Sequence, residues 1–235
     1  MRASLLLVSL LLPLAGWAQY GPAKGSCLLL NGQQLAGTTR IVAATSQEPC
    51  KFIYYVNNKP QELTADEVRS CQVGKHLFVV GGGFVAPGDN GGIPVSQDFV
   101  EVIDTTGRVQ VFAYTYERVV EGGMGRTVGP MRVPTAGGGT HLMDGTVGGG
   151  TSYHTHTLYL LRPQGGRTFM PYDVKIKQAI IGTRKEFNQA DAATLATLFA
   201  DDPVLQQEIL AGSIRESQIP SVVAAYNQGI RRKAR

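Results

Sequence analysis

The chain has 235 residues, of which 43% are hydrophobic and 17% are charged, and its formal net charge is +4. This balance excludes a wholly disordered polypeptide, and the length suits one large or two small domains. The positive charge is spread too thinly to indicate a nucleic-acid-binding protein.

Residues 1–18 have the pattern of a cleaved secretory signal peptide. Met1 and Arg2 provide a positive start, residues 5–14 are apolar, and Gly16 and Ala18 place small side chains before a cut at Gln19. The apolar run is about ten residues long, whereas a helix that spans a bilayer needs roughly 20. We therefore predict export to the periplasm, cell surface or medium, with no transmembrane segment.

Residues 19–172 alternate short β-rich runs with turn residues. Asn31 and Gly32 favour a type I′ turn within the first predicted hairpin. The predicted strands cover residues 28–30, 33–44, 51–56, 68–73, 76–80, 97–103, 108–116, 153–161 and 167–172. About eight strands with short links predict an antiparallel β meander, closed as a barrel or folded as a sandwich.

The strand predicted at 108–116 carries large side chains on both faces. Val109 and Val111 point to one side, and Phe112, Tyr114 and Tyr116 point to the other. One face should therefore meet the core of the sheet, and the other should meet an element packed on top.

Two segments, 81–92 and 121–150, hold more than half of the 29 glycines. Their composition predicts glycine-rich loops between strands. Each loop is either a tolerated insertion or a segment that closes over a ligand. Neither contains a glycine motif of the kind that binds phosphate.

Residues 173–235 are predicted to form a small helical unit packed on the β domain. Apolar residues recur at helical intervals in 174–187, 191–200 and 217–229, and Asp202 followed by Pro203 is a helix start. The stripe that should dock on the sheet and be buried comprises Leu195, Leu198, Phe199, Leu205, Ile209, Val223 and Tyr226.

The chain contains three cysteines, Cys27, Cys50 and Cys71, and none has the spacing of a redox or zinc motif. If strands 51–56 and 68–73 pair about a turn near Pro60, Cys50 and Cys71 lie opposite each other. The sequence then predicts a Cys50–Cys71 disulfide, with Cys27 as the spare thiol.

His154 and His156 are the strongest candidates for metal ligands. Residues two apart on a strand share a face about 6.5–7 Å apart, so both imidazoles could reach one metal ion. A stable site needs a third ligand, and the remaining histidines are His76 and His141. The alternative is that the pair is simply an exposed feature of a strand.

Other chemistry has little support in the sequence. No nucleophile elbow is present, so no catalytic residue and no cofactor are predicted. Tyrosines on the strands could line a sugar-binding face, although tyrosine is common in ordinary strands. They are Tyr54, Tyr55, Tyr114, Tyr116, Tyr153 and Tyr159.

Four short segments carry a resemblance to other proteins. They are LLLNGQQLAG at 28–37, LTADEV at 63–68, LFADDP at 198–203 and AYN at 225–227. In these segments the chain resembles a loose family of uncharacterised secreted proteins of Bacteroidota-type Gram-negative bacteria. The resemblance implies a β domain followed by helices, an envelope or extracellular location, and no catalytic residues to transfer.

Three functions are compatible with these features. The first is a secreted or envelope-associated, non-enzymatic binding or structural module with an envelope or extracellular ligand. The second is a small secreted hydrolase that uses a metal held by His154 and His156. The third is a β-barrel that binds an apolar ligand beneath the helices.

Overall fold

The computed structural model describes residues 21–45, 47–88, 91–120, 127–134, 140–146, 152–172, 174–178, 183–187 and 189–229. The predicted signal peptide lies outside these ranges. The described chain is mostly antiparallel β-sheet with three short α-helices near the C-terminus, which confirms the α+β class. Within these ranges, no helix is long and apolar enough to cross a membrane.

The main sheet contains 11 strands. Their bounds are β1 Ala23–Leu29, β2 Gln34–Val42, β3 Ala44–Thr45, β4 Lys51–Val56, β5 Lys59–Leu63, β6 Val68–Val73, β7 His76–Gly81, β10 Asp98–Asp104, β11 Val109–Val120, β14 Ser152–Pro163 and β15 Met170–Tyr172. Three two-stranded sheets pair β8 Phe84–Gly88 with β9 Gly91–Val95, β12 Thr127–Pro134 with β13 Thr140–Thr146, and β16 Val174–Gln178 with β17 Thr183–Phe187. The helices are α1 Gln189–Thr197, α2 Pro203–Leu210 and α3 Ile219–Asn227, the last preceded by a 3₁₀ turn at Glu216–Gln218.

The strand order of the main sheet is β15-β14-β11-β10-β7-β6-β1-β2-β4-β5. This order is not a simple meander, because the chain returns from β5 past β4, β2 and β1 to reach β6. The short β3 pairs in parallel with β11, with Ala44 beside Tyr116, so the sheet curls back on itself. The sheet is not closed, since β5 and β15 end the order. It is therefore larger and more open than the predicted eight-stranded barrel or sandwich.

The turns differ from those expected. Gly32 has a positive φ of 86°, whereas the φ of Asn31 is not positive, and a type I′ turn needs a positive φ at both residues. Gly32 N donates to Leu29 O at 3.1 Å. The first hairpin therefore has a glycine bulge rather than the predicted type I′ turn. The type I′ geometry occurs at Asn57 and Asn58, whose φ angles are 50° and 61°, between β4 and β5.

Both glycine-rich segments contain strands, which corrects the prediction of loops. Segment 81–92 includes β8 and the start of β9, and Phe84 and Ala86 of β8 are buried in the core. Segment 121–150 includes β12 and β13, which pair with each other. Pairing between strands uses main-chain groups, so a glycine-rich composition weakens a two-stranded ribbon without forbidding it.

The predicted helix at 174–187 is wrong. These residues contain the hairpin of β16 and β17. Val174 and Ile176 alternate with Lys175 and Lys177, which is the period of a strand. The helical part of the C-terminal region therefore begins at Gln189.

The described part of the chain has two hydrophobic core clusters, and β11 contributes residues to both. Phe112, Tyr114 and Tyr116 belong to the first cluster, inside the curled sheet. Val109 and Val111 belong to the second, together with the helices. The prediction that the two faces of this strand pack against different partners is confirmed.

The helices dock through the predicted apolar stripe. Leu195, Phe199, Leu205, Ile209 and Val223 are buried, and Leu198 and Tyr226 are half-buried against the same cluster. The side chain of Asp202 accepts from Leu205 N at 3.1 Å, which confirms the predicted helix start.

Polar contacts fix how the helices sit on the sheet. The Asn227 side chain accepts from Val109 N at 3.2 Å and donates to Val109 O at 2.8 Å, as a neighbouring strand would. The hydroxyl of the buried Tyr172 donates to Ile214 O at 2.7 Å. Helix α3 and the segment after α2 are therefore joined to β11 and β15 by hydrogen bonds as well as by apolar contact.

Candidate functional site

His154 and His156 lie on β14, as predicted, and both are exposed. In the pairing of β14 with β11, His154 is the register partner of Arg118 and His156 is the register partner of Tyr116. Because residues two apart on a strand share a face, the two imidazoles emerge from the same side of the sheet. We call these two exposed imidazoles the His154–His156 face.

The imidazole of His156 rests on a column of stacked aromatic rings. Its ring lies 5.6 Å from the Tyr116 ring, at an interplanar angle of 25°. The Tyr116 ring lies 5.9 Å from the Tyr114 ring, at 18°. Tyr114 and Tyr116 are 3% and 5% exposed, so their faces are covered and unsuited to stacking on a sugar. The column instead fixes an exposed imidazole to the protein core.

Tyr114, at the inner end of the ring column, is hydrogen-bonded to the buried carboxylate of Asp98. The Tyr114 hydroxyl donates to Asp98 at 2.9 Å, and Asp98 also accepts from Cys50 N at 3.0 Å and Phe99 N at 2.7 Å. Burial raises the pKa of Asp98, although these hydrogen bonds act in the opposite direction. Burial also raises the pKa of Tyr114, so its hydroxyl remains protonated and donates.

Cys50 is not suited to act as a nucleophile. Its thiol donates to the Thr115 carbonyl with an Sγ–O distance of 3.8 Å. Burial, followed by the nearby charge of Asp98, raises the pKa of Cys50 well above its ordinary value. Since the thiolate is the reactive form, this thiol is inert in the folded protein. The Asp98 network therefore joins β4, β10 and β11 and has a structural role.

The strand pairing that supported a Cys50–Cys71 disulfide was wrong. β4 pairs with β2 and β5, whereas β6 pairs with β1 and β7, so the two strands are not neighbours. The tight turn at Asn57 and Asn58 sends the chain into β5, a strand that the sequence analysis did not predict. The residue opposite Cys71 is Cys27, and all three cysteines are buried free thiols.

His76 and Glu101 form a pair that sequence reasoning missed. His76 Nδ1 lies 2.5 Å from Glu101 Oε1, and both side chains are partly buried. The pair forms because β7 lies next to β10, with Phe78 opposite Glu101. Tyr159 is close by, and its pKa is raised by burial and then by the charge of Glu101. The sequence could have indicated the His76–Glu101 pair only if the pairing of β7 with β10 had been recognised.

The structure does not bring the histidines together. His76 lies on β7 and is hydrogen-bonded to Glu101, and β10 and β11 separate β7 from β14, the strand of His154 and His156. The side chain of His141 lies outside the described part of the structure. Among the described residues, no group of three His, Cys, Asp or Glu side chains could hold a metal ion.

A small cavity lies inside the curled sheet. It is lined by Cys50 and Thr115 and by the apolar residues Ile41, Ala43, Phe78, Phe99 and Ala113. It has room for about one water molecule, whereas a pocket for a small-molecule ligand has roughly 300–1,000 Å³. This cavity gives no support to an apolar ligand held within the sheet.

Comparisons of the chain with protein-family models, curated proteins and solved structures found no match. The functional conclusion therefore depends on the geometry of the described residues.

Proposed function

We propose that this chain is an exported, non-enzymatic binding module of the cell envelope, and that its ligand contacts the His154–His156 face. One observation carries the proposal. His156 is exposed, yet its ring is held by a column that ends at a buried carboxylate. An exposed side chain that the core holds in one orientation loses little conformational entropy on binding, which favours recognition.

Several features support binding over catalysis. The Cys50 thiol is buried and protonated. A catalytic zinc site uses three protein ligands and an open position, and the described residues offer two imidazoles on this face.

Export is tested by the N-terminus of the protein recovered outside the cytoplasm. Expression of the whole chain in a Gram-negative host, followed by fractionation and intact-mass measurement, should give a form that begins at Gln19. The signal pattern of residues 1–18 is the reason for this expectation. An exported form that retains Met1, or a protein found only in the cytoplasm, contradicts it.

Binding is tested by sedimentation of the purified protein with peptidoglycan sacculi and with outer-membrane fragments. We expect retention on one of these materials, and at least about a tenfold loss of affinity in the double variant His154→Ala/His156→Ala, because each contacting side chain contributes about 1 kcal/mol or more. Both side chains are exposed, so the variant should keep its fold.

The matched control is Thr155→Ala. Thr155 is exposed and lies between the two histidines, but its side chain points to the opposite side of the strand. This variant should bind as the wild type does. Equal retention of the wild type and the double variant would exclude the His154–His156 face as the binding site, and no retention on either material would contradict binding to the cell envelope.

A further inference from the structure

Cys27 and Cys71 occupy directly opposite positions in the antiparallel pair of β1 and β6. The register also places Ser26 opposite Gln72 and Leu28 opposite Ser70, so the alignment extends to both sides of the cysteines. Cys27 is 1% exposed and Cys71 is 2% exposed, and both belong to the first hydrophobic cluster. Opposite residues share a face of the sheet, so the two thiols lie side by side in the core.

The spacing of opposite positions suits a disulfide. Directly facing residues of antiparallel strands have Cα atoms about 4.5 or 5.5 Å apart, depending on the kind of pair. A disulfide accepts Cα separations of roughly 4.4–6.8 Å, so either kind lies within the range. The register of β1 and β6 is therefore compatible with a bond between the two sulfurs.

Cys50 occupies a different environment. Its main-chain N–H donates to Asp98, and its thiol donates to the Thr115 carbonyl. It precedes β4, which is separated from β6 by β2 and β1 in the strand order. A bond from Cys50 to either other cysteine would require its thiol to leave the Thr115 carbonyl.

We propose that Cys27 and Cys71 are a disulfide-forming pair and that Cys50 remains a thiol. Formation in the cell depends on the export included in the proposed function, because the oxidising compartments lie outside the cytoplasm. The oxidant is the disulfide form of a dithiol carrier or of a thiol tripeptide such as glutathione. One protein thiolate attacks the carrier disulfide and releases one carrier thiolate. The second protein thiolate then attacks the mixed disulfide, forms the protein S–S bond and releases the second carrier thiolate.

In this exchange the protein gives two electrons to the carrier, and the two protein S–H bonds are replaced by two carrier S–H bonds. The reaction should occur during folding rather than after it. Burial, and then the charge of Glu67, raises the pKa of Cys27 to about 11, and burial also raises the pKa of Cys71. Very little thiolate is therefore present once the strands are covered.

The deciding experiment uses peptides that separate the three cysteines. Cleavage after lysine and arginine places Cys27 in peptide 25–40, Cys50 in peptide 41–51 and Cys71 in peptide 70–75. The unfolded, reduced chain is refolded in a mixture of oxidised and reduced glutathione, and remaining thiols are alkylated before digestion. We expect peptide 25–40 linked to peptide 70–75, with peptide 41–51 alkylated.

A link that involves peptide 41–51, or alkylation of all three peptides, overturns the proposal. Refolding in vitro does not depend on export. A link found in vitro but missing from protein made in the host would therefore support the disulfide and count against export.

Thermal unfolding provides a second readout. The bridge would close the loop 27–71, so the oxidised protein should unfold about 5–15 °C above its reduced form. Cys71→Ala should abolish this difference, and the matched control Cys50→Ala should keep it. Loss of the difference in Cys50→Ala would contradict the assignment.

Discussion

Replacement of Asp98 by alanine is expected to lower the free energy of unfolding by about 3–5 kcal/mol, because a buried hydrogen-bond network loses its acceptor. Asp98 is 1% exposed, and its carboxylate accepts from Cys50 N, Phe99 N and the Tyr114 hydroxyl. Alanine leaves all three donors buried without this acceptor. Urea denaturation of the variant and the wild type at neutral pH measures the difference.

Asp98→Asn is the matched variant. Its amide oxygen can accept from the two main-chain N–H groups, and its NH₂ group can donate to the Tyr114 oxygen, so we expect a loss of about 1 kcal/mol. A loss as large as that in Asp98→Ala would show that the charge of Asp98 is essential. A negligible loss in Asp98→Ala would show that the network contributes little.

The raised pKa of Asp98 also predicts a pH dependence with a definite sign. Between the ordinary value of 3.8 and the raised value, the folded protein binds the Asp98 proton more tightly than the unfolded chain does. The stability that Asp98 contributes therefore falls as pH rises through this interval and is constant above it. The difference in unfolding free energy between the wild type and Asp98→Asn should follow this course. A difference that rises with pH would contradict the raised pKa.

Truncation after Tyr172 should cause the largest loss of stability. The helices cover four side chains of the sheet that are almost fully buried, namely Val109, Val111, Leu161 and Tyr172. Burial of each is worth roughly 1.5–3 kcal/mol, and whole domains are stable by only about 5–15 kcal/mol. Tyr172 also loses the Ile214 carbonyl as its acceptor. We expect an unfolding temperature more than about 10 °C lower, together with poor solubility.

The control for this truncation ends after Gly229 and keeps all three helices. It should unfold within a few degrees of the full chain when followed by circular dichroism. If the chain truncated after Tyr172 unfolds at the same temperature as the full protein, the helices form a separate unit. They would then be better described as a tethered interaction tail.

The elements that sequence analysis predicted well are those with a strong local signal. The bounds of β4 and β6 match the prediction to the residue, because each has β-rich residues between clear turn residues. Asp202 and Pro203 were sufficient to locate the start of α2. The two faces of β11 were also predictable, since the alternation of side chains follows from strand geometry alone.

What the sequence did not reveal depends on pairing between distant segments. β1 pairs with β6, although four strands, β2 to β5, lie between them in the chain. That pairing places Cys27 opposite Cys71, and the pairing of β7 with β10 brings Glu101 to His76. Local propensity contains no information about such partners. The glycine-rich strands were missed for a different reason, because glycine lowers β propensity while the main chain can still pair.

The pairing of β11 with β14 has a consequence for how the protein can vary. These strands pair along their whole length, with Val120 opposite Ser152, so the residues between them leave and re-enter the sheet at neighbouring points. Doubling the length of a segment that joins two neighbouring points adds only about 0.6 kcal/mol to the entropic cost of closing the loop. Insertions and deletions there should leave the ring column intact. The length of this segment can therefore change while the paired part of β11 and β14, including the positions of His154 and His156, stays the same.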